Sequence, residues 1–204
     1  MVGYVILGFV YAFAAAVQPG PLQTYLISQT LEHGWRRTLP AAFAPIVSDG
    51  PIIVLVLFLL TRIPESSLQV LQIGGGIFLL YLAGGAYRTW RMSDAQPAAP
   101  PSSRQTLAKA VLVNILNPNP YLGWSFVMGP LLLKGWRESP GNAIALLAGF
   151  YCTIIAGNAA IVMLFVLART LGERVRRTLI GISVIALACF GGYELWMGLA
   201  GPRP

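Results

Sequence analysis

The sequence predicts an all-α, polytopic membrane protein: six transmembrane helices arranged as two inverted three-helix repeats, with helices 1 and 4 broken. Three observations carry this: a composition too apolar for water, six stretches of spanning length, and an internal repeat. Charged residues make up 10% of the 204-residue chain and hydrophobic residues 56%. A soluble domain carries roughly a quarter charged residues. Here the few charges gather between long apolar runs, as they do when the solvent is lipid.

The apolar stretches cover residues 3–31, 38–61, 68–89, 107–133, 141–168 and 178–200. A span needs about 20 apolar residues, so each suffices, and the longest imply tilt, a kink or an extension past the membrane face. The first begins at Met1-Val2-Gly3-Tyr4 with no basic leader, so it is expected to be a retained span and not a cleaved signal. Between the third and fourth stretches, residues 93–105 are rich in Pro, Ala and Ser, a composition of flexible linkers. The expected organisation is therefore a first repeat over 1–92, a linker over 93–106 and a second repeat over 107–204.

Orientation follows from lysines and arginines in short loops. One membrane face collects Arg36, Arg37, Arg88, Arg91, Arg104, Lys109, Arg169, Arg174, Arg176 and Arg177; the other collects Arg62, Lys134, Arg137 and Arg203. The richer face is expected to be cytoplasmic, which puts both termini on the outer side of a bacterial inner (plasma) membrane. The net charge of +7 therefore reports topology. No basic stripe has interleaved aromatics, so nucleic acid is not an expected partner.

The halves resemble one another. QPGPLQTY at 18–25 followed by EHGWRRTLP at 32–40 parallels NPNPYLGW at 117–124 followed by LKGWRESP at 133–140. Pro19 and Pro21 match Pro118 and Pro120, Gly34-Trp35-Arg36 matches Gly135-Trp136-Arg137, and Pro40 matches Pro140. Further on, residues 82–87 resemble residues 189–193. With three spans per half, the second copy enters the membrane from the opposite face, a common construction of secondary transporters.

The chemistry-bearing residues lie at the two breaks and in the second span. Each proline removes a backbone donor and crowds the carbonyl four residues back, and in lipid the freed groups need partners in the protein or a wet cavity. Half-helix N-termini suit an anion and freed carbonyls a cation. Pro19, Gly20 and Pro21, flanked by Gln18, and Pro118, flanked by Asn117 and Asn119, are thus candidate solute-binding positions. Asp49 is a carboxyl inside the second span, by default a functional group that faces a cavity or partner, and the candidate proton carrier. The plainer reading makes it a brace for the kink at Pro51. Asn158 is expected to fall near Asp49 in the repeat alignment, and Asn114 is a further polar position. Glu194 falls close to the outer end of the last span, where its side chain can snorkel. Tyr25, Tyr121 and Trp124 could line a pocket or simply pack.

No nucleophile–base pair or nucleotide loop is visible, so no catalytic residue is expected. Cys152 and Cys189 form no Cys-x-x-Cys pair and the sole histidine, His33, sits in a loop, so neither metal nor cofactor is expected. The glycines at 74–76, 84–85 and 191–192 permit close helix approach. Several apolar faces suit lipid or a second copy in a homo-oligomer.

Pro19-Gly20-Pro21, Gly34-x-Arg36, Asp49, Gly75-x-x-x-Leu79-x-Tyr81-Leu82 and Asn117-Pro118-Asn119, in this order, resemble the lysine exporter family (LysE/RhtB), which includes homoserine and threonine efflux proteins. The resemblance covers nearly the whole chain. It implies proton-driven export of amino acids or similar metabolites, with Pro19, Gly20, Pro21, Asp49, Asn117 and Pro118 as site residues. The chain departs from the family's pattern at Leu22, where Asn is usual after the first Pro-Gly-Pro, and at Pro45 and Pro51, where glycines are usual. The alternatives are an exporter of metal or other ions from the wider superfamily, and a membrane assembly subunit without transport activity.

Overall fold

A computed structural model describes residues 1–18, 20–59, 65–91, 101–170 and 172–200, and all their regular elements are helical. Pro19 and residues 92–100 of the linker region lie outside the described residues.

The first stretch is interrupted where the prolines predict. Helix α1 (Val2–Val17) ends at Gln18, which is extended (φ −69°, ψ 119°). Gly20 is also extended (φ −148°, ψ 177°), and α2 (Pro21–His33) then starts on Pro21, where no N–H is needed. The two halves are bent by 60°. Gly34 closes α2 with φ +85°, a value costly for any residue with a Cβ. The chain continues through α3 (Trp35–Thr38), a 3₁₀ turn (Leu39–Phe43) and α4 (Ala44–Leu59), followed by α5 (Glu65–Arg91).

The second half repeats the plan with variations. Helix α6 (Ser103–Leu116) starts inside the region expected to be linker, because Ser102 and Gln105 form a reciprocal capping box: Gln105 N–H donates to Ser102 Oγ at 3.3 Å and Ser102 N–H to Gln105 Oε1 at 2.9 Å. Asn117 (φ −85°, ψ 125°) breaks the helix, and its side chain accepts from Asn119 N–H at 3.0 Å. Then come α7 (Pro118–Gly123), a π-helical stretch (Trp124–Met128), α8 (Gly129–Glu138), α9 (Pro140–Thr170) and α10 (Glu173–Ala200).

Among the described residues, segments 35–56, 140–168 and 174–200 are individually long and apolar enough to cross a membrane, and α1 with α2 makes a fourth when taken as one bent span. The remaining expected spans are α5, 27 residues long but polar at both ends, and the fourth stretch, which its breaks divide among α6, α7, the π turn and α8. Large apolar side chains such as Phe9, Phe13, Ile77, Leu164 and Ile185 face outward, as lipid contact requires.

Each broken stretch gives one half to each of two apolar cores. One gathers Tyr25 and Leu26 of α2, Val113 of α6, Leu79 of α5 and Leu187 of α10. The other gathers Ala12 of α1, Ile52 of α4, Trp124 and Met128 of the π turn and Phe150 of α9. The breaks therefore lie where one core gives way to the other. Glycine seams bring the backbones together. A Cβ on Gly76 of α5 would lie 2.7 Å from the Gly191 carbonyl oxygen of α10, and Gly8 and Gly149 play the same part between α1 and α9.

Candidate functional site

Asp49 is 2% exposed on α4, one residue from Ser48, which is fully buried. Asn114, three residues before the second break, donates from Nδ2 to Ser48 Oγ at 2.7 Å and to Asp49 Oδ1 at 3.3 Å. Ser48 Oγ itself donates to the Ala44 carbonyl at 2.9 Å. The side chains of Trp124 and Tyr151 also stand close to the carboxyl. Polar side chains from α6, the π turn and α9 thus gather around one acid from α4. An ionised carboxylate tolerates removal from water only when its lone pairs are met by donors or a counter-ion.

Aromatic rings gather around this cluster. Phe150 packs edge-to-face with Trp124 (centroids 5.6 Å apart) and with Tyr151 (5.0 Å), and Tyr11 of α1 lies 6.1 Å from Phe150. The Tyr11 hydroxyl sits against Gly123, the last residue of α7, in space that a Cβ there would fill. A π turn inserts an extra residue into the helical register and commonly marks functional positions; here it carries Trp124 to Asp49. The arrangement brings a carboxyl and aromatic rings together, and both groups attract a cation such as an ammonium.

The breaks meet at a second place. A cavity of about 10 Å³ is lined by Pro21 of α2, Gly75, Phe78 and Leu79 of α5, Val113 and Leu116 of α6, Asn117 and Glu194. Gly75 permits this approach, since a Cβ there would lie 2.5 Å from the Leu116 carbonyl oxygen. Glu194 is 7% exposed, and its Oε2 has no hydrogen-bond partner. This corrects the expectation of a snorkelling side chain: α10 packs against α5 and α2, which turns Glu194 inward.

The remaining candidates are distributed unevenly. Pro118 is buried behind Asn117, while Gln18 and Asn119 are exposed and Gly20 half-buried. Asn158 is fully buried but donates to the Ala42 carbonyl at 3.4 Å, away from the partners of Asp49, and its Oδ1 has no partner. Pro19 is outside the described residues. The sequence reading left out Ser48, Tyr151, Tyr11 and Phe150, which lie among apolar neighbours and carry no local pattern. Among the described residues no group of three or more His, Cys, Asp or Glu could hold a metal.

Interrupted helices and buried carboxyls inside a lipid-facing helical body define the class as a multi-pass membrane transporter. A model of the LysE type translocator family matches residues 13–199, and the chain belongs to that family. Its members are transporters and not enzymes, and the chain is accordingly a membrane exporter. No curated protein and no solved structure matches the chain.

Proposed function

We propose that this protein is a proton-coupled exporter of amino acids or closely related metabolites, working by alternating access in a bacterial inner membrane. The observation that carries the reading is the Asp49 cluster, in which a buried carboxyl and aromatic side chains come together between two cores. The cytoplasmic solute presents its ammonium to Asp49 and the rings, and its carboxylate to the half-helix N-termini beginning at Pro21 and Pro118. Gly20, Asn117 and Asn119 line or cap those starts, and Gln18, Pro19 and Asn158 remain candidate solute-binding positions from the sequence. A proton from outside then displaces the ammonium from Asp49 and resets the cycle. One proton moving inward through about 150 mV supplies roughly 3.5 kcal/mol, enough for a gradient of a few hundredfold.

The six-span inverted repeat supplies the mechanics. Supporting it, α1 packs on α9 as α6 packs on α4, and α5 packs on α10, the pairing expected of exchanged halves. With the arginine-rich loops inside, α2 and α6 belong to the cytoplasmic core and α1 and α8 to the outer one. Rocking at the breaks opens one core while the other stays closed. A homo-oligomer would seal exposed apolar faces.

The test loads expressing cells with a mixed dipeptide pool and follows individual amino acids outside by mass spectrometry. Selective efflux above the empty-vector control supports the reading. Efflux equal to that control, with the protein confirmed in the membrane, moves it to metal or other ions, or to an assembly subunit without transport.

A further inference from the structure

We propose that Glu194 and the cavity between the two helix breaks form a second proton-binding site, separate from Asp49, which takes part in coupling. The inference deepens the exporter reading and rests on it for the coupling role, but the binding of the proton stands on geometry alone. The cavity joins the opening of α2, the end of α6 and the middle of α5, and a carboxyl oxygen reaches it with no hydrogen-bond partner. Asp49, by contrast, accepts a hydrogen bond from Asn114 Nδ2 at 3.3 Å.

Size decides what the cavity can take. About 10 Å³ accommodates one water-sized species, which excludes an amino acid. A sodium ion needs a shell of several oxygens, and five of the eight lining residues are Phe, Leu, Val or Pro; a sixth is Gly75. Asn117 Oδ1 is already committed to Asn119 N–H. No titratable or charged side chain from α2, α5 or α6 lines the cavity beside Glu194 among the described residues. With Oε2 unpartnered and no counter-ion in the lining, an ionised carboxylate there loses its water with little to offset it, whereas a carboxyl carrying a proton is neutral and loses far less. When rocking separates the breaks, water reaches the group and the proton leaves. Proton occupancy at Glu194 is thereby tied to the same movement that exposes the solute site.

The test titrates purified full-length protein with protons and follows the carboxyl stretching band by infrared difference spectroscopy. Wild type, Glu194→Gln, Glu194→Asp and Asp49→Asn are compared, with and without added sodium. The proposal expects one carboxyl band to vanish in E194Q, to persist in D49N and to return at a shifted frequency in E194D, which also covers misfolding of E194Q. An unchanged spectrum in E194Q, or a band abolished by sodium at constant pH, overturns it. In sealed vesicles given all twenty ¹³C-labelled amino acids and a gradient of about one pH unit, losing one coupled proton lowers accumulation about tenfold. E194Q should show that loss and retain exchange of labelled for unlabelled solute; accumulation at the wild-type level overturns the coupling role. If wild type accumulates nothing, the exporter reading fails, and the infrared result still decides whether Glu194 binds the proton.

Discussion

Asn114 tethers Ser48 and Asp49 to the second half of the molecule through a single amide, so its removal tests the cluster most directly. Asn114→Leu leaves a buried carboxyl short of a donor, a deficit of about 1–3 kcal/mol. Thermal unfolding of the purified protein should move down accordingly; an unchanged midpoint would show that the tether is unimportant. Trp124→Phe keeps a ring against Phe150 but removes the indole N–H from the neighbourhood of Asp49. Export should fall in this variant while the fold persists, which an efflux assay with a membrane-expression control would check. Asp49 itself was legible in the sequence because a lone carboxyl inside an apolar run is conspicuous. Tyr151 and Ser48 were not, since a hydroxyl in such a run is commonplace and only the packing of α9 and α4 brings them to the acid. Glu194 was visible but misplaced, because distance from a helix end does not reveal which face a neighbour covers.

Helix ends and seams were more readily read. The prolines at 19 and 21 and at 118 and 120 announced the interruptions, and the structure has extended residues at Gln18, Gly20 and Asn117. The start of α6 was set too late although Ser102-x-x-Gln105 is a capping signature, because the preceding Pro-rich run made the whole segment look like linker. The π turn had no sequence signal. Glycine positions separate seam from surface. Gly76→Val forces a side chain onto the Gly191 carbonyl, with an expected cost of about 1–3 kcal/mol. At Gly84 an added Cβ would meet nothing within 4 Å, and Gly84→Val should be close to neutral. Denaturation of both variants in the same detergent gives the comparison, and equal stability would contradict the seam.

For the whole molecule, the charge asymmetry of the loops gives an orientation that labelling can read. With Cys152 and Cys189 replaced, Ser139→Cys between α8 and α9 should react with a membrane-impermeant thiol reagent applied to intact cells. Ser103→Cys at the start of α6 should react only after the cells are opened. The reverse pattern would invert the protein and exchange the two cores between membrane faces. The helical class and its lipid-facing character came directly from composition. How the halves cross was not readable, because it depends on which glycines of different helices meet.

The exporter reading stands most directly on what Asp49 does, so the decisive measurement follows amino-acid efflux and internal pH together in cells expressing wild type or Asp49→Asn. The account predicts selective efflux with proton entry in wild type and loss of both in the variant, with comparable protein in the membrane. Asp49→Asn cells that export at the wild-type rate and still take up protons would contradict it.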